Sequence, residues 1–362
     1  MIKTMIYAFA IVTGITVIAI IGLIFYLQFT EYTPAPIEMV SASGKALPLA
    51  NDKTDFSFLS WNLGYAGLGC EMDFFYDGGK RVRPEKARMD GYLNGICSTL
   101  ASFDTLDFIF VQEIDRKSKR TYHLDQQKKL DSLLSKYCSV FALNYKVAYI
   151  PLPAREPIGE VESGLSTFSK YLPESNERHA YEAFFYWPKK LMFLKRCFLS
   201  SSFTVLGGKQ LIVVNLHNSA YDESGELRRK ELTQLQEFLQ REYQKGSFII
   251  VGGDWNSNPK GFRKEELKAE DRGFSLTNPL GKDFMPGWQA VYDHTLPTNR
   301  NVNAPYQKGV TGTTLIDFFL ISPNVSVLNC FTVDEGFKNS DHNPVFAKFR
   351  LQTGFAGNPM IN

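Results

Sequence analysis

Cysteine is scarce in this 362-residue chain, and the five present (Cys70, Cys97, Cys138, Cys197 and Cys330) are scattered singly. With no C-x-x-C pair and no His/Cys cluster, neither a zinc site of ordinary spacing nor a disulfide framework is indicated. The cysteines read mainly as core residues; one pair is open to bridging in an oxidising compartment, and the odd count leaves at least one unpaired. Net charge is scarce too. Forty Lys and Arg against 38 Asp and Glu leave a formal charge of +2, so nothing beyond a local patch suggests a polyanion track. Also missing are a G-x-S-x-G elbow, a G-x-x-x-x-G-K-[ST] loop, a fixed-period repeat and any low-complexity tract. Serine hydrolysis and P-loop ATP use lose ground accordingly.

What the chain does have is apolar matter, 44% of its residues with 14% aromatic, enough for one large domain or two small ones. Residues 5–29, "MIYAFAIVTGITVIAIIGLIFYLQF", hold no charged side chain and are long enough as a helix to cross a bilayer. A cleaved signal has a shorter apolar stretch and a small-residue cleavage site, so residues 1–30 read as a transmembrane signal anchor. Lys3 precedes the span and Glu31 and Glu38 follow it, which puts the N-terminus in the cytoplasm and the main domain outside. Residues 31–54, with three prolines and many small polar residues, read as an extended linker. The catalytic domain is expected over 55–352, and 353–362 as a flexible tail.

Within that domain short runs rich in Val, Ile, Phe and Thr recur, among them "FSFLSWNL", "DFIFVQEI", "QLIVVNLH", "SFIIVGGDW" and "TLIDFFLI". Their length and composition predict strands, several buried on both faces. Between them "RPEKARMDGYLNGICSTLASF", "DQQKKLDSLLSKY" and "ELRRKELTQLQEFLQREYQK" carry helical spacing, which implies helices layered outside packed strands.

The strands end alike. Apolar runs deliver Asn62, Glu113, the trio Asn215, His217 and Asn218, then Asp254 with Asn256; "TLID" presents Asp317, and "NSDHNP" adds Asp341 and His342. Any one of these has a plain explanation as a turn, a cap or a hydrogen-bonded core residue. Together they fit one chemistry: a hard divalent cation takes oxygen ligands, and Glu113, Asp341 and Asn62 offer them. Phosphate-ester hydrolysis needs in addition a charge clamp, a positioned water and help for the leaving oxygen.

In order, "SWNLGY", "FVQEID", "SGLSTFSKY", "VVNLHN", "VGGDWNSNP", "LIDFFLIS" and "NSDHNPV" resemble the signature blocks of the endonuclease/exonuclease/phosphatase superfamily, the DNase I-like metal-dependent phosphohydrolases, over about residues 55–350. The resemblance implies an α/β (α+β) four-layer sandwich, two packed mixed β-sheets flanked by helices, with the site at one sheet edge. It implies Mg²⁺, with Mn²⁺ an alternative, held by Glu113 with Asn62 and Asp341 near it. Asp254 would deprotonate the attacking water and Asn256 hold a phosphoryl oxygen. His342, oriented by Asp317, would contact phosphate or act as base, and His217 would protonate the leaving group or bind phosphate. Asn218 and Asn215 are further phosphate contacts, Asn215 only if strand alternation stays regular. The residues leave open which histidine is acid and which base.

Substrate choice stays open as well. The expected activity is nuclease-like hydrolysis of a phosphodiester. The alternatives are a phospholipid or sphingomyelin phosphodiesterase, an inositol-phosphate phosphatase, or a catalytically silent binding module on the same fold. The expected partners are a phosphodiester, nucleic acid or phospholipid headgroup, and a membrane through the N-terminal helix; no obligate protein partner is inferred. Residues 64–84 read either as a lip over the site or as a surface loop ordered by burying Phe74 and Phe75; Arg81 and Arg83 are second-phosphate candidates or solvated charges. Residues 181–196, "YEAFFYWPKKLMFLKR", suit docking at a lipid interface or a buried strand, turn and strand. His123, His179 and His294 lie outside the blocks and read as surface or structural.

Overall fold

The computed structural model describes residues 1–220, 222, 224–263 and 279–352; the expected tail at 353–362 lies outside them. In chain order the elements are α1 (Ile2–Phe29), β1 (Ile37–Met39), β2 (Ser43–Gly44), β3 (Asp55–Asn62), α2 (Lys86–Ser102), β4 (Phe108–Asp115), α3 (Gln126–Leu133), β5 (Cys138–Ile150), β6 (Gly159–Ser169), β7 (Ser175–Ala180) and β8 (Cys197–Thr204). There follow β9 (Gln210–His217), α4 (Glu226–Gln244), β10 (Phe248–Asp254), β11 (Gln289–Val291), β12 (Asn299–Arg300), β13 (Thr313–Thr314), β14 (Asp317–Ile321), β15 (Val325–Thr332) and β16 (Val345–Leu351).

Two mixed sheets form, ordered β1-β7-β8-β9-β10-β14-β11 and β15-β16-β3-β4-β6-β5-β2. Alternation along each strand decides what lies between them. Phe56 and Phe58 of β3, Phe108 and Phe110 of β4, Leu211 and Val213 of β9, Phe248 and Ile250 of β10, and Phe319 of β14 all point inward and make one buried core. The intervening residues face the other way. Leu59, Trp61, Ile109 and Val111 pack on Leu93, Ile96 and Leu100 of α2 and Leu130 of α3. On the second sheet Val214, Leu216, Ile249 and Val251 pack on Leu235, Phe238 and Leu239 of α4. With helices covering both outer faces, the strands are apolar at nearly every position, which is why they read as continuous runs. The four-layer sandwich expected from the sequence is the observed architecture.

The linker departs from expectation. Rather than hanging free, residues 31–54 run along the domain: β1 pairs antiparallel with β7, β2 with β5, and Leu47 bridges Tyr171. Both receiving strands would otherwise present unpaired edge amides and carbonyls, and an extended segment satisfies them whatever its composition. The five cysteines are free thiols.

α1 is long and apolar enough to cross a membrane, and the core of its span touches nothing. Only near its end does it meet the domain, where Leu27 is buried with Leu23 and Ile24 beside it.

Glycines at two positions respond to opposite constraints. Gly253 adopts φ +141° in β10, and a Cβ there would lie 2.1 Å from the Leu216 carbonyl oxygen; Gly91 in α2 has open space around it. Gly253→Ala is expected to cost more than about 2 kcal/mol, and Gly91→Ala to gain about 0.5–1 kcal/mol through helix propensity. Chemical denaturation of the two variants checks both signs.

Candidate active site

Inner-face alternation, continued to the strand ends, builds the site. After Phe56 and Phe58 the same face of β3 carries Ser60 and Asn62. After Leu211 and Val213, β9 carries Asn215 and His217; after Phe248 and Ile250, β10 carries Gly252 and Asp254; and Phe319 of β14 is preceded by Asp317. Register then aligns the ends, because Asp254 stands opposite His217 on one side and Asp317 on the other. Gly252 leaves room that Phe319 and Phe110 fill, since a Cβ there would lie 2.5 Å from the Phe319 ring. "FIIVGGDWN" therefore needs both glycines, the first for packing and the second for backbone.

Glu113 breaks the parity. It follows Gln112, the inner-face residue of β4, and reaches the site because the β4–β6 ladder slips between Val111 and Ile114 and Glu113 itself sits at φ +52°. A bulge with a non-glycine residue in the left-handed region is a strained arrangement of the kind found where a side chain must be re-aimed.

Asp254 is the hub. Its Oδ2 accepts from Asn62 Nδ2 at 2.9 Å and lies 3.4 Å from His217 Nε2 and 3.8 Å from His342 Nε2, while Oδ1 accepts from the Asn256 amide at 2.9 Å. Asn62 Nδ2 also reaches Glu113 Oε1 at 3.4 Å, and His217 Nε2 lies 3.7 Å from that oxygen. His342 Nδ1 donates to Asp317 Oδ2 at 2.8 Å, which fixes the ring and turns Nε2 toward the hub. Asp341 is buried beside them, its Oδ2 4.0 Å from His342 Nε2.

Burial sets the charges. Desolvation and then the Asp317 charge push the Asp254 carboxyl up to about 7, with His342 and the Asn256 and Asn62 hydrogen bonds pulling it back. Burial likewise raises Asp341 to about 6, with His342 opposing and Glu113 adding to the rise. The two histidines are driven apart. Burial, Arg196, His342 and Arg120 hold His217 well below its ordinary value, so it is neutral. Burial also works against charge on His342, but Asp317 and Asp341 outweigh it and raise the imidazolium to about 10.

Glu113 and Asp341 suit a hard divalent cation, since among the described residues the ion-pair partners of Glu113, Asp254 and Asp341 are histidines. Asn62 turns its Nδ2 to Glu113 and Asp254 while its Oδ1 accepts from the Gly64 amide at 3.0 Å, so it would join a cation only by turning its amide over. Among the described residues a different acid and imidazole group, Asp254, Asp317 and His342, brings its ligand atoms within 4.8 Å of one another. There Asp317 and His342 are already bonded to each other, which marks a positioning couple rather than a metal shell.

Of the remaining expected residues, Asn256 lies at the site with φ +48°, one amide hydrogen given to the Asn218 carbonyl at 2.9 Å. Asn218 Oδ1 accepts from Tyr181 at 3.0 Å while its buried Nδ2 has no partner among the described residues, a donor left for a ligand. Asn215 shares the face of His217 but lies one step deeper. Its Oδ1 accepts from Gln112 at 2.7 Å and its Nδ2 donates to the Ser166 carbonyl at 3.0 Å, so it pins the two sheets together and is not brought to the phosphate position. Arg81 pairs with Asp73 and Arg83 with Glu156. Phe74 is buried and Phe75 is not. His179 is buried against Phe198, and His123 is exposed.

Several supporting residues escaped the sequence reading. Asn299 Nδ2 lies 2.9 Å from His342 Nε2 and Trp61 Nε1 donates to the His342 carbonyl at 2.8 Å. Ser340 donates to the Asn62 carbonyl at 2.8 Å. Glu231 of α4 accepts from both Ser219 groups, at 2.6 and 2.9 Å, beside Asn218. Trp61 and Ser340 sit inside the recognised blocks and were within reach; nothing local marks Asn299 or Glu231.

A model of the Endonuclease/Exonuclease/phosphatase family matches residues 59–342, more than half of the chain. The chain belongs to that family. Its members are phosphoric ester hydrolases, generally dependent on a divalent metal, and the enzyme class follows. No functionally curated protein matches the sequence. Solved structures share the fold at low identity. One is an endonuclease/exonuclease/phosphatase from Beutenbergia cavernae (16% identity, TM-score 0.56, covering 83% of this chain and 72% of that one). Another is ANGEL2, described as a 2',3'-cyclic phosphatase (17%, 0.55, 83% and 96%). A third is D. rerio TDP2 complexed with single-strand DNA product (15%, 0.52, 82% and 100%).

The raised carboxyls give a signed test. Because Asp254 and Asp341 hold protons in the folded state above the ordinary carboxylate range, their stabilising contribution is complete below about pH 4 and is lost as pH rises through about 6 and 7. The metal-free protein should therefore melt lower at pH 7.5 than at pH 5. A cation binding the ionised set should reverse this at the higher pH, by about 2.7 kcal/mol at a hundredfold excess over its Kd. Melting curves with EDTA or Mg²⁺ at the two pH values measure it.

Proposed function

We propose that this family member is a membrane-anchored, Mg²⁺-dependent phosphodiester hydrolase of nuclease-like type, with Mn²⁺ able to substitute. The observation that carries the reading is the convergence of Asn62, His217, Asp254 and Asp317 from four strands, with Glu113 and His342, on one buried edge. Glu113, Asn62 and Asp341 would hold the cation, which when bound supplies positive charge to the phosphoryl oxygens.

The protein's own groups perform the rest. Asp254, flanked by both Nε2 atoms, takes the proton of the attacking water as its oxygen bonds to phosphorus. As the opposite P–O bond breaks, the imidazolium of His342, charged through Asp317, gives a proton to the leaving oxygen. Neutral His217 and the free amide hydrogens of Asn218 and Asn256 donate to the non-bridging oxygens. Asp317 positions His342 and does not meet the substrate.

The length and apolarity of α1 support a single-pass protein, and the Lys3 flank supports a catalytic domain on the extracytoplasmic side. The DNA product held by one structural neighbour agrees with a nucleic-acid diester. A second reading, a phospholipid headgroup as the diester, is favoured by the exposed aromatics Tyr186 and Trp187 near α1. A silent module accounts poorly for a site that gathers every expected acid and imidazole and all the expected amides except Asn215.

Full-length protein should hydrolyse bis(p-nitrophenyl) phosphate with Mg²⁺ and lose this in EDTA. Asp254→Ala and His217→Ala should abolish turnover, and Asp317→Asn should lower kcat about 10²- to 10⁴-fold with the fold retained. Wild-type-like rates in those variants would sink the assignment. A parallel panel of plasmid DNA, RNA, sphingomyelin and inositol phosphates then separates the substrate readings.

A further inference from the structure

The strand directions place the end of α1 at the catalytic edge. β4 runs antiparallel to β6 and β6 to β5, so Ile150 at the end of β5 lies at the edge where β4 presents Glu113. β8 runs antiparallel to β9, so Cys197 at its start lies at the edge where β9 presents His217. The loops 151–158 and 181–196 therefore leave from the catalytic side of the sandwich. Against these loops α1 ends: Leu23, Ile24 and Leu27 join a cluster with Ile150, Leu191 and Met192, and the same cluster holds Tyr65, three residues beyond Asn62.

Length sets the depth of this contact. A 28-residue helix is about 42 Å long at 1.5 Å per residue, and the hydrocarbon core of a bilayer is about 30 Å thick. With Lys3 kept outside the hydrocarbon, about 20 residues from Met5 onward span the core, so its far boundary falls near Leu23 and Ile24 and roughly the last turn and a half, with Leu27, is left at headgroup level. Trp187 is tied there, its Nε1 donating to Gln28 Oε1 at 3.2 Å, and Glu31 clamps the loop's other end through Lys195 at 2.6 Å and Lys190 at 3.6 Å. Around this clamp the side chains are turned outward. Tyr186 is 85% exposed, Trp187 58% and Phe184 44%, and the exposed Lys189 lies 4.0 Å from the centre of the Phe185 ring. Phe185 packs on Phe193 and the core behind it, but for Phe184, Tyr186 and Trp187 exposure to water on this scale brings no gain. At the level of lipid headgroups Trp and Tyr take their preferred place and lysine meets anionic phosphate.

We propose that residues 184–190 form a second, peripheral anchor inserted among the headgroups of the bilayer that holds α1, so that the catalytic edge is seated toward the membrane surface. This rests on the membrane-anchor reading of α1 given above. The occupant of the patch is the lipid surface itself, fixed by its covalent continuity with the helix beside it.

Tryptophan emission tests it, because Trp61, Trp255 and Trp288 are buried in the domain and Trp187 is at the surface. Full-length protein would be reconstituted in vesicles of phosphatidylcholine and phosphatidylglycerol with ordinary or brominated acyl chains. Emission is expected to fall in the brominated vesicles for the wild type and not for W187F, and Tyr186→Trp on the W187F background should restore the quenching. Equal emission in the two vesicle types, from protein that withstands alkaline extraction, overturns the seating, as it would if a protein partner covered the loop. Release by alkaline extraction overturns the seating and the anchor together. Turnover of bis(p-nitrophenyl) phosphate in the same vesicles reports the catalytic reading separately, so the two failures are distinguishable.

Discussion

The dry interior between the two sheets, and the two-residue period that fills it, is the constraint from which the rest of this molecule follows. Each central strand offers its inner face a series that begins in Phe, Leu, Val or Ile and ends in a polar residue. The apolar part drives the sheets together, and each buried phenylalanine or leucine contributes about 1.5–3 kcal/mol to that association. The polar part is thereby carried to one edge and held with little freedom. A shift of one residue in any of these strands would move its catalytic group to the helix-packed face, so the register that stabilises the core also assembles the site. Asn215 and Gln112, bonded to each other between the sheets, mark where the apolar series stops and the polar one starts.

Placing acids at the rim of an apolar core has an electrostatic consequence. Water that would ordinarily solvate Asp254 and Asp341 is excluded, and both carboxyls rise toward neutrality. The bond from His342 to Asp317 works in the other direction by holding one positive charge among them. His217 lies 3.4 Å from Asp254 and 3.7 Å from Glu113, yet burial, Arg196, His342 and Arg120 hold it well below its ordinary value. Of the two imidazoles flanking one carboxylate, His342 is favoured as a cation by its bond to Asp317, while burial and two arginines disfavour charge on His217. Neither hydrogen-bond partner nor depth of burial is written locally in the chain, which is why motif spacing alone does not separate the two rings.

How much was legible varies by element for the same reason. The strands and their two-sided burial follow from short-range pattern, because period two is a local property; Asn62, Asp254, Asp317 and His342 were marked by strand-end chemistry and by the signature blocks, whereas Glu113, marked the same way, reaches the site only through a bulge that period two does not foresee. The linker was misjudged because its pairing is decided by the open edges of β7 and β5, far away in sequence. Asn215 was placed on the correct face but at the wrong depth, since alternation says which side a residue faces and nothing about what the opposite sheet brings to meet it. Asn299 and Glu231 come from outside the blocks, and only the fold brings them beside His342 and Ser219.

The same reasoning joins anchor and site. Strands that run parallel in pairs deliver their catalytic ends to one edge, and the chain connections that leave from that edge must lie beside the site. The segment entering from α1 has to reach β1 and β2, which border opposite sheets, and it does so across this edge, with Glu31 clamped to Lys195 and Leu27 buried near Tyr65. Where α1 ends is therefore set by the same strand directions that gather Asn62, Glu113, His217 and Asp254: the helix meets the domain through Leu23, Ile24 and Leu27, in one apolar cluster with Tyr65 and the end of β5. Seating this helix in a bilayer would thus carry the orientation of the site with it, because the two are joined by the strand order and not by any one side chain.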